Sequence, residues 1–296
     1  MTEGIIMKAL SGFYYVAVGD TIIDCKARGR FRLDGSSPLV GDRVQLSLDQ
    51  NGKGRVDVVQ ERKNWFIRPA VANIDTLVFV AANVNPVTDP FLVDRLSVIA
   101  AEADCELVLC INKTDLDPGD RLYETFTRAG FPVVRTSAET GEGVGALLAL
   151  LRGKVSAFTG NSGVGKSSIL NVLLPEARIR TATVSEKLGR GRHTTRHVEL
   201  YPLGEDTYIA DTPGFASLDV MMTKIIGKER LQYDFPDFAP YLGRCRFHDC
   251  AHLKEPGCAV TEAVAAGKIA PGRYRSYERL YEISAQHRFW EYKEET

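Results

Sequence analysis

Nine residues, Gly160-Asn161-Ser162-Gly163-Val164-Gly165-Lys166-Ser167-Ser168, constrain this chain of 296 residues more than any others. They satisfy G-x-x-x-x-G-K-[ST], with an apolar run, Val155–Phe158, before them and a helical run, Ser167–Leu174, after them. Glycines let the backbone wrap an anion, so that its N–H groups point inward at a helix N-terminus. Lys166 suits the neutralisation of β/γ-phosphate charge, and the Ser167 hydroxyl suits a Mg²⁺ ion. A phosphate loop of this kind requires a strand on one side, a helix on the other and an α/β sheet around them.

The surrounding sequence agrees. From Ala72 onward, apolar strand-like runs alternate with helical stretches through to about residue 222, the rhythm of a parallel sheet covered on both faces. Within it, Asp211-Thr212-Pro213-Gly214 closes an apolar strand in a D-x-x-G pattern. Such an Asp holds Mg²⁺ through water and such a Gly N–H senses the γ-phosphate. Between the two motifs lies a basic, Gly-rich stretch ending Arg192-His193-Thr194-Thr195-Arg196. A loop that brings one Thr to Mg²⁺ and the γ-phosphate belongs here; Thr195 is the candidate, with Thr194 as the alternative.

Asn112-Lys113-Thr114-Asp115 follows another apolar strand and reads as a guanine-recognition loop. Asp115 would accept hydrogen bonds from guanine N1–H and the 2-amino group, two donors that adenine lacks, so a carboxylate here rejects adenine. Asn112 would brace the site and the Lys113 stem would lie along the base. Thr136-Ser137-Ala138 follows a further strand and resembles the T/S-S-A element whose backbone reaches guanine O6. All five elements of a GTP site are therefore present, but the base loops precede the phosphate loop. Rotated order with intact strand–loop–helix spacing is what circular permutation produces, and it carries the D-x-x-G loop directly into the C-terminal region.

The flanks differ in texture. Residues 8–60 read as four or five short strands with turn signals between them, which suits an oligonucleotide-binding (OB) barrel. Lys26, Arg28, Arg30 and Arg32 at spacing two would share one strand face, either a solvated face or a nucleic-acid surface. Formal net charge is −1, which gives no global field toward a polyanion, although residues 1–70 carry 11 Lys/Arg against 8 Asp/Glu. After residue 223 the strand rhythm stops and helices are expected. Three of the six cysteines, Cys25, Cys105 and Cys110, stand in apolar contexts and read as small buried residues. The other three join a histidine in Cys245-x4-Cys250-x-His252-x5-Cys258, a donor set suited to one structural, tetrahedral Zn²⁺ with no open position. His248 lies in the same loop as a rival ligand. The N-terminus has no secretory pattern, and no run reaches the roughly 18 apolar residues of a membrane span. The expectation is a cytoplasmic monomer without a membrane partner.

Together, "RPAVANID", "NKTD", "TSAETGEG", "GNSGVGKSS", "GRHTTRHVEL", "DTPGF" and "CRFHDCAHLKEPGCAV" resemble the circularly permuted GTPases of small-ribosomal-subunit biogenesis, the RsgA (YjeQ, YloQ) family. The resemblance spans essentially the whole chain. It implies an OB-fold RNA-binding domain (1–69), a permuted α/β GTPase domain (70–222) and a mainly helical zinc-binding domain (223–296). It also implies late maturation of the 30S subunit, contact with its 16S rRNA, and slow GTP hydrolysis that the subunit stimulates before the factor leaves with GDP formed. Ras-type proteins place a water-orienting Gln after D-x-x-G, where this chain has Phe215. The resemblance offers His193 instead, acting on the water or only shaping the loop or touching RNA; Lys166, Thr195 and His193 form the candidate catalytic set.

Overall fold

The computed structural model describes residues 2–29, 31, 37–67, 69–175, 198–204, 206–211 and 227–286. Five strands open the chain: β1 (Thr2–Leu10), β2 (Phe13–Val18), β3 (Thr21–Ala27), β4 (Arg43–Leu48) and β5 (Gly54–Val59). They pair in the order β1-β2-β3-β5-β4, and β4 returns to β1 through Thr2↔Leu46, which closes a barrel. The pairing β3–β5 is parallel while the others are antiparallel, the partly open Greek-key plan of an OB fold. Ile6, Val16, Cys25, Val44, Leu46 and Val56 fill the interior.

Two sequence expectations need correction here. The first strand begins at Thr2 rather than near residue 8. And β3 stops at Ala27, so Arg28 is off the strand and ion-pairs instead with Asp57 at 2.7 Å; Arg30 and Arg32 lie outside the described residues. The stripe fails at its second member, where a buried carboxylate draws the guanidinium aside.

A short ribbon, β6 (Trp65–Ile67) with β7 (Ala70–Ala72), leads from the barrel into the central domain. There β8 (Thr76–Ala82), β9 (Glu106–Asn112), β10 (Val133–Arg135), β11 (Val155–Thr159), β12 (Glu199–Pro202) and β13 (Tyr208–Asp211) lie in the order β10-β9-β8-β11-β13-β12. All pairings are parallel except β12–β13, an antiparallel edge that the βαβ rhythm did not reveal. Every residue of β8 is buried. Leu77, Phe79 and Ala81 face one core with Val93, Leu96 and Phe126, whereas Val78, Val80 and Ala82 face the other with Leu147, Ile169 and Leu173. Period-2 alternation with apolar residues on both sides marks a sheet covered on both faces. Helices α1 (Pro90–Glu102) and α2 (Asp120–Arg128) cover the first face, α3 (Val144–Leu151) and α4 (Lys166–Leu173) the second.

From β8 the chain winds outward through β9 to β10; from β11 it winds the other way. The switch point of this doubly wound sheet therefore lies between β8 and β11, and ligands bind at the C-terminal strand ends there. The barrel joins the sheet edge through Lys8↔Glu199, with an ion pair of 3.0 Å between the two side chains.

Among the described residues 227–286 there is no strand. Two 3-10 turns, Leu231–Asp234 and Pro236–Tyr241, and helices α5 (Ala259–Ala265) and α6 (Pro271–Gln286) pack Leu231, Phe235, Phe238, Val260 and Tyr277 together with Val98 of α1. This small core uses the GTPase-like domain as one wall. Among the described residues no helix is long and apolar enough to cross a membrane.

Candidate nucleotide and metal sites

Three loops meet at the switch point, and Asn112 joins them. It is the last residue of β9 and almost wholly buried. Its Nδ2 donates to Val164 O at 2.9 Å, and its Oδ1 accepts from Ala138 N at 3.1 Å. One amide thus spans the phosphate loop and the second base loop. Gly165 makes this approach feasible. Its φ is +91°, and a Cβ there would lie 2.2 Å from Asn112 Nδ2. Gly160 is similarly pressed, with a would-be Cβ 2.4 Å from Val80 O. The loop between them, Asn161, Ser162, Gly163 and Val164, leads into α4, whose first residues are Lys166, Ser167 and Ser168.

Thr114 fastens the first base loop to the second, with its N and Oγ1 both donating to Thr136 O, at 3.1 and 2.9 Å. Ser137 Oγ donates to Asp115 Oδ1 at 2.6 Å and accepts from Thr140 N at 3.2 Å. The carboxylate of Asp115 is thereby held by one oxygen. Lys113, at φ +64°, reaches the Asn85 carbonyl in the β8–α1 connection, and Pro86 of that connection lies beside Gly163. Sequence reasoning missed this fourth loop, since Asn85 and Pro86 match no motif.

Asp211 ends β13, two strands from β8, at the same strand-terminal edge. His193, Thr194, Thr195, Gly214 and Phe215 lie outside the described residues. The arrangement brings together Asn112, Lys113, Thr114, Asp115, Ser137, Ala138 and the loop from Gly160 to Ser168 around one edge of the sheet.

The second site is in the C-terminal module. Donor atoms of Cys245, Cys250, His252 and Cys258 all lie within 4.8 Å of one another, close enough to hold a metal ion. His252 Nδ1 is 3.5 Å from Cys245 Sγ and 3.4 Å from Cys258 Sγ, and the two sulfurs are 3.9 Å apart. His248, the rival, is exposed and outside the cluster. Burial lowers the pKa of His252, which keeps the imidazole in its neutral, ligating form. Burial and the neighbouring thiols push Cys250 up to about 12. Such a thiol ionises only when a cation takes its charge.

The loop is held both from within and from outside. Glu255 accepts from the backbone N–H groups of Ala251, Leu253 and Lys254, and these bonds lower its pKa despite burial. Tyr274 and Tyr277 of α6 donate their hydroxyls to the carbonyls of His252 and Ala251, both at 2.8 Å. The tyrosines of this helix therefore serve their own domain. Cys25, Cys105 and Cys110 stand apart, with thiols raised by burial to about 11, 12 and 12. They are packing residues.

The RsgA GTPase family model matches residues 59–221 and the RsgA N-terminal domain model residues 3–56. The chain belongs to the RsgA GTPase family. The small ribosomal subunit biogenesis GTPase RsgA of Caldanaerobacter subterraneus subsp. tengcongensis is 44% identical over 94% of this chain and 94% of its own. That of Shouchella clausii is 43% identical over 97% of this chain and 99% of its own. Among solved structures, YjeQ from Thermotoga maritima superposes with a TM-score of 0.81 at 35% identity, over 97% of this chain and 99% of that one. YloQ, described as a circularly permuted GTPase, gives 0.80 at 34%, over 98% and 97%. Membership in the RsgA family makes this chain a GTP-hydrolysing enzyme with a permuted GTPase domain between a β-barrel and a cysteine/histidine-bearing C-terminal module.

Proposed function

We propose that this RsgA-family chain assists late maturation of the 30S ribosomal subunit, hydrolyses GTP slowly when alone and faster on the subunit, and departs after hydrolysis. The observation that carries the nucleotide reading is the pair of hydrogen bonds at Asn112, donated to Val164 O and accepted from Ala138 N, which fastens base loops and phosphate loop into one cradle. In this reading Asp115 takes guanine N1–H and the amino group, Lys113 lies along the base, and Ser137 and Ala138 complete the purine site. Backbone N–H groups of residues 160–168 and the ammonium of Lys166 hold the phosphates. Ser167 and Thr195 would hold Mg²⁺, with Asp211 reaching it through water, and the ion would offset charge on the phosphate oxygens. Gly214 senses the γ-phosphate, and His193 positions the attacking water in place of the Gln that Phe215 displaces.

The small-subunit partner rests on the relatives, which are named for biogenesis of that subunit. For contact with 16S rRNA, the barrel offers Phe13, 43% exposed, with Lys26 Nζ 5.0 Å above its ring and Arg55 paired beside Lys26 across β3–β5. An exposed aromatic ring beside cations suits base stacking and phosphate contact. Zinc is the proposed ion of the Cys3His cluster. Bonds of about 2.3 Å to sulfur and 2.0 Å to nitrogen set tetrahedral edges of roughly 3.8 Å between sulfurs and 3.5 Å from sulfur to nitrogen. The spacings of 3.9, 3.5 and 3.4 Å fit that figure. Its role is to tie a segment too short to build a core alone.

Turnover of GTP titrated with purified 30S and 50S subunits tests the proposal. A rise in kcat with 30S alone is expected. A rise with 50S alone moves the partner, and a rate unchanged by either removes the ribosome from the account.

A further inference from the structure

We infer that Gln232 is a positioning residue for the metal of the Cys3His cluster; the inference rests on the reading that this cluster holds a divalent ion. A ligating imidazole needs one nitrogen bare for the ion and the other N–H held by an acceptor, which fixes tautomer and ring plane. His252 turns Nδ1 toward Cys245 Sγ and Cys258 Sγ. Its Nε2 lies 2.8 Å from Gln232 Oε1. The orientation of that amide is itself determined, because Gln232 Nε2 donates to Glu229 O at 3.1 Å. Oε1 is left to accept, so the proton resides on His252 Nε2 and the lone pair of Nδ1 faces the thiols. His252 is 2% exposed, and its ring meets Phe238 edge-on at 6.4 Å. Without Gln232 that N–H loses its acceptor, and a buried donor left unpaired is destabilising.

The acceptor comes from outside the metal loop. Gln232 sits on the 3-10 turn Leu231–Asp234, which packs Leu231 in one core with Val98 of α1. Arg230, just before it, pairs with Glu102 of α1 at 3.1 Å. This turn stands between the D-x-x-G loop and the metal loop in the chain. The acceptor therefore rides on a segment that packs against the GTPase domain, which links metal retention to that seating.

The test compares Gln232→Leu with Gln232→Glu, each loaded with Zn²⁺ and challenged with a chromophoric chelator, with Co²⁺ spectra recorded in parallel. Gln232→Leu, which has no acceptor, is expected to lose metal about 10–100-fold more readily than the wild type and to shift the Co²⁺ bands. Gln232→Glu, which keeps an acceptor, is expected to hold metal at least as well as the wild type with unshifted bands. Equal losses in both variants, or retention unchanged in Gln232→Leu, overturn the inference. A wild type that takes up neither ion removes the cluster reading and the inference with it. A measurement without variants also applies. Stripping metal from the wild type should speed amide exchange across residues 227–241 about tenfold or more, and unchanged exchange there overturns the link.

Discussion

Arg273 Nη1 of α6 lies 2.6 Å from Asp94 Oδ1 of α1, with both side chains only 1% exposed. The same guanidinium forks onto Asp237 through Nε and Nη2, at 3.0 and 2.6 Å, and its Cζ lies 4.9 to 5.6 Å from the ring centres of Phe235, Phe131 and Phe126. One buried cation therefore joins two carboxylates and three aromatic rings from both sides of the boundary between the GTPase domain and the C-terminal module.

Removing it leaves two buried carboxylates uncompensated. Arg273→Ala is predicted to cost about 3–5 kcal/mol of stability, the range for breaking a buried pair by deleting one partner. Arg273→Lys should recover little, since an ammonium cannot fork onto Asp237 while reaching Asp94. Urea denaturation checks both, and a loss below about 1 kcal/mol for Arg273→Ala contradicts the assignment.

Asp234 gives a pH dependence. Burial, with the nearby Glu102 charge adding to it, raises its carboxyl from 3.8 to about 7. Between these values the native state holds a proton that the unfolded state has lost, so this group makes stability fall as pH rises through that window. Asp234→Asn should stabilise the protein more at pH 8 than at pH 5, by about 1 kcal/mol or more, because pH 5 lies early in that window and pH 8 beyond it. Equal effects at the two pH values would contradict it; thermal melts in matched buffers decide.

Asn112→Ala separates the fastening of the loops from the chemistry on the phosphates. It leaves Val164 O and Ala138 N without their partner, and GDP affinity should fall about 100-fold or more, two unpaired groups at about 1–3 kcal/mol each. Fluorescence titration with a labelled nucleotide measures it. Gly165→Ala should do the same from the other side, because its Cβ would meet Asn112 Nδ2.

Much of this was legible in the sequence. The phosphate loop, the base loop and the metal set each depend on residue types at short, fixed spacing, which a chain displays directly. Strands buried on both faces, such as Thr76–Ala82, were equally plain as apolar runs. What escaped reading depends on partners far apart in the chain. Arg28 left its strand for Asp57. Asn85 is read only through Lys113, Gln232 only through His252, and Arg273 only through Asp94, 179 positions away. No local pattern encodes such contacts, because tertiary packing supplies the second member.

His193→Ala tests the proposed handling of water. Stimulated kcat should collapse about 100-fold or more, the scale of a lost water-positioning or general-base group, while affinity for a GTP analogue stays. Retained stimulation assigns His193 to loop shape or RNA contact.

The central claim is that a rotated chain closes one guanine site around Asp115, and exchanging the base tests it most directly. Xanthine replaces the 2-amino donor of guanine with an acceptor, so Asp115→Asn, which supplies an amide donor, should reverse the preference of the site. Competition binding of GDP against xanthosine diphosphate is predicted to favour GDP in the wild type and xanthosine diphosphate in Asp115→Asn, a swing of at least about 100-fold. An unchanged preference for GDP in the variant would mean that residue 115 does not read the base, and the permuted site would have to be abandoned.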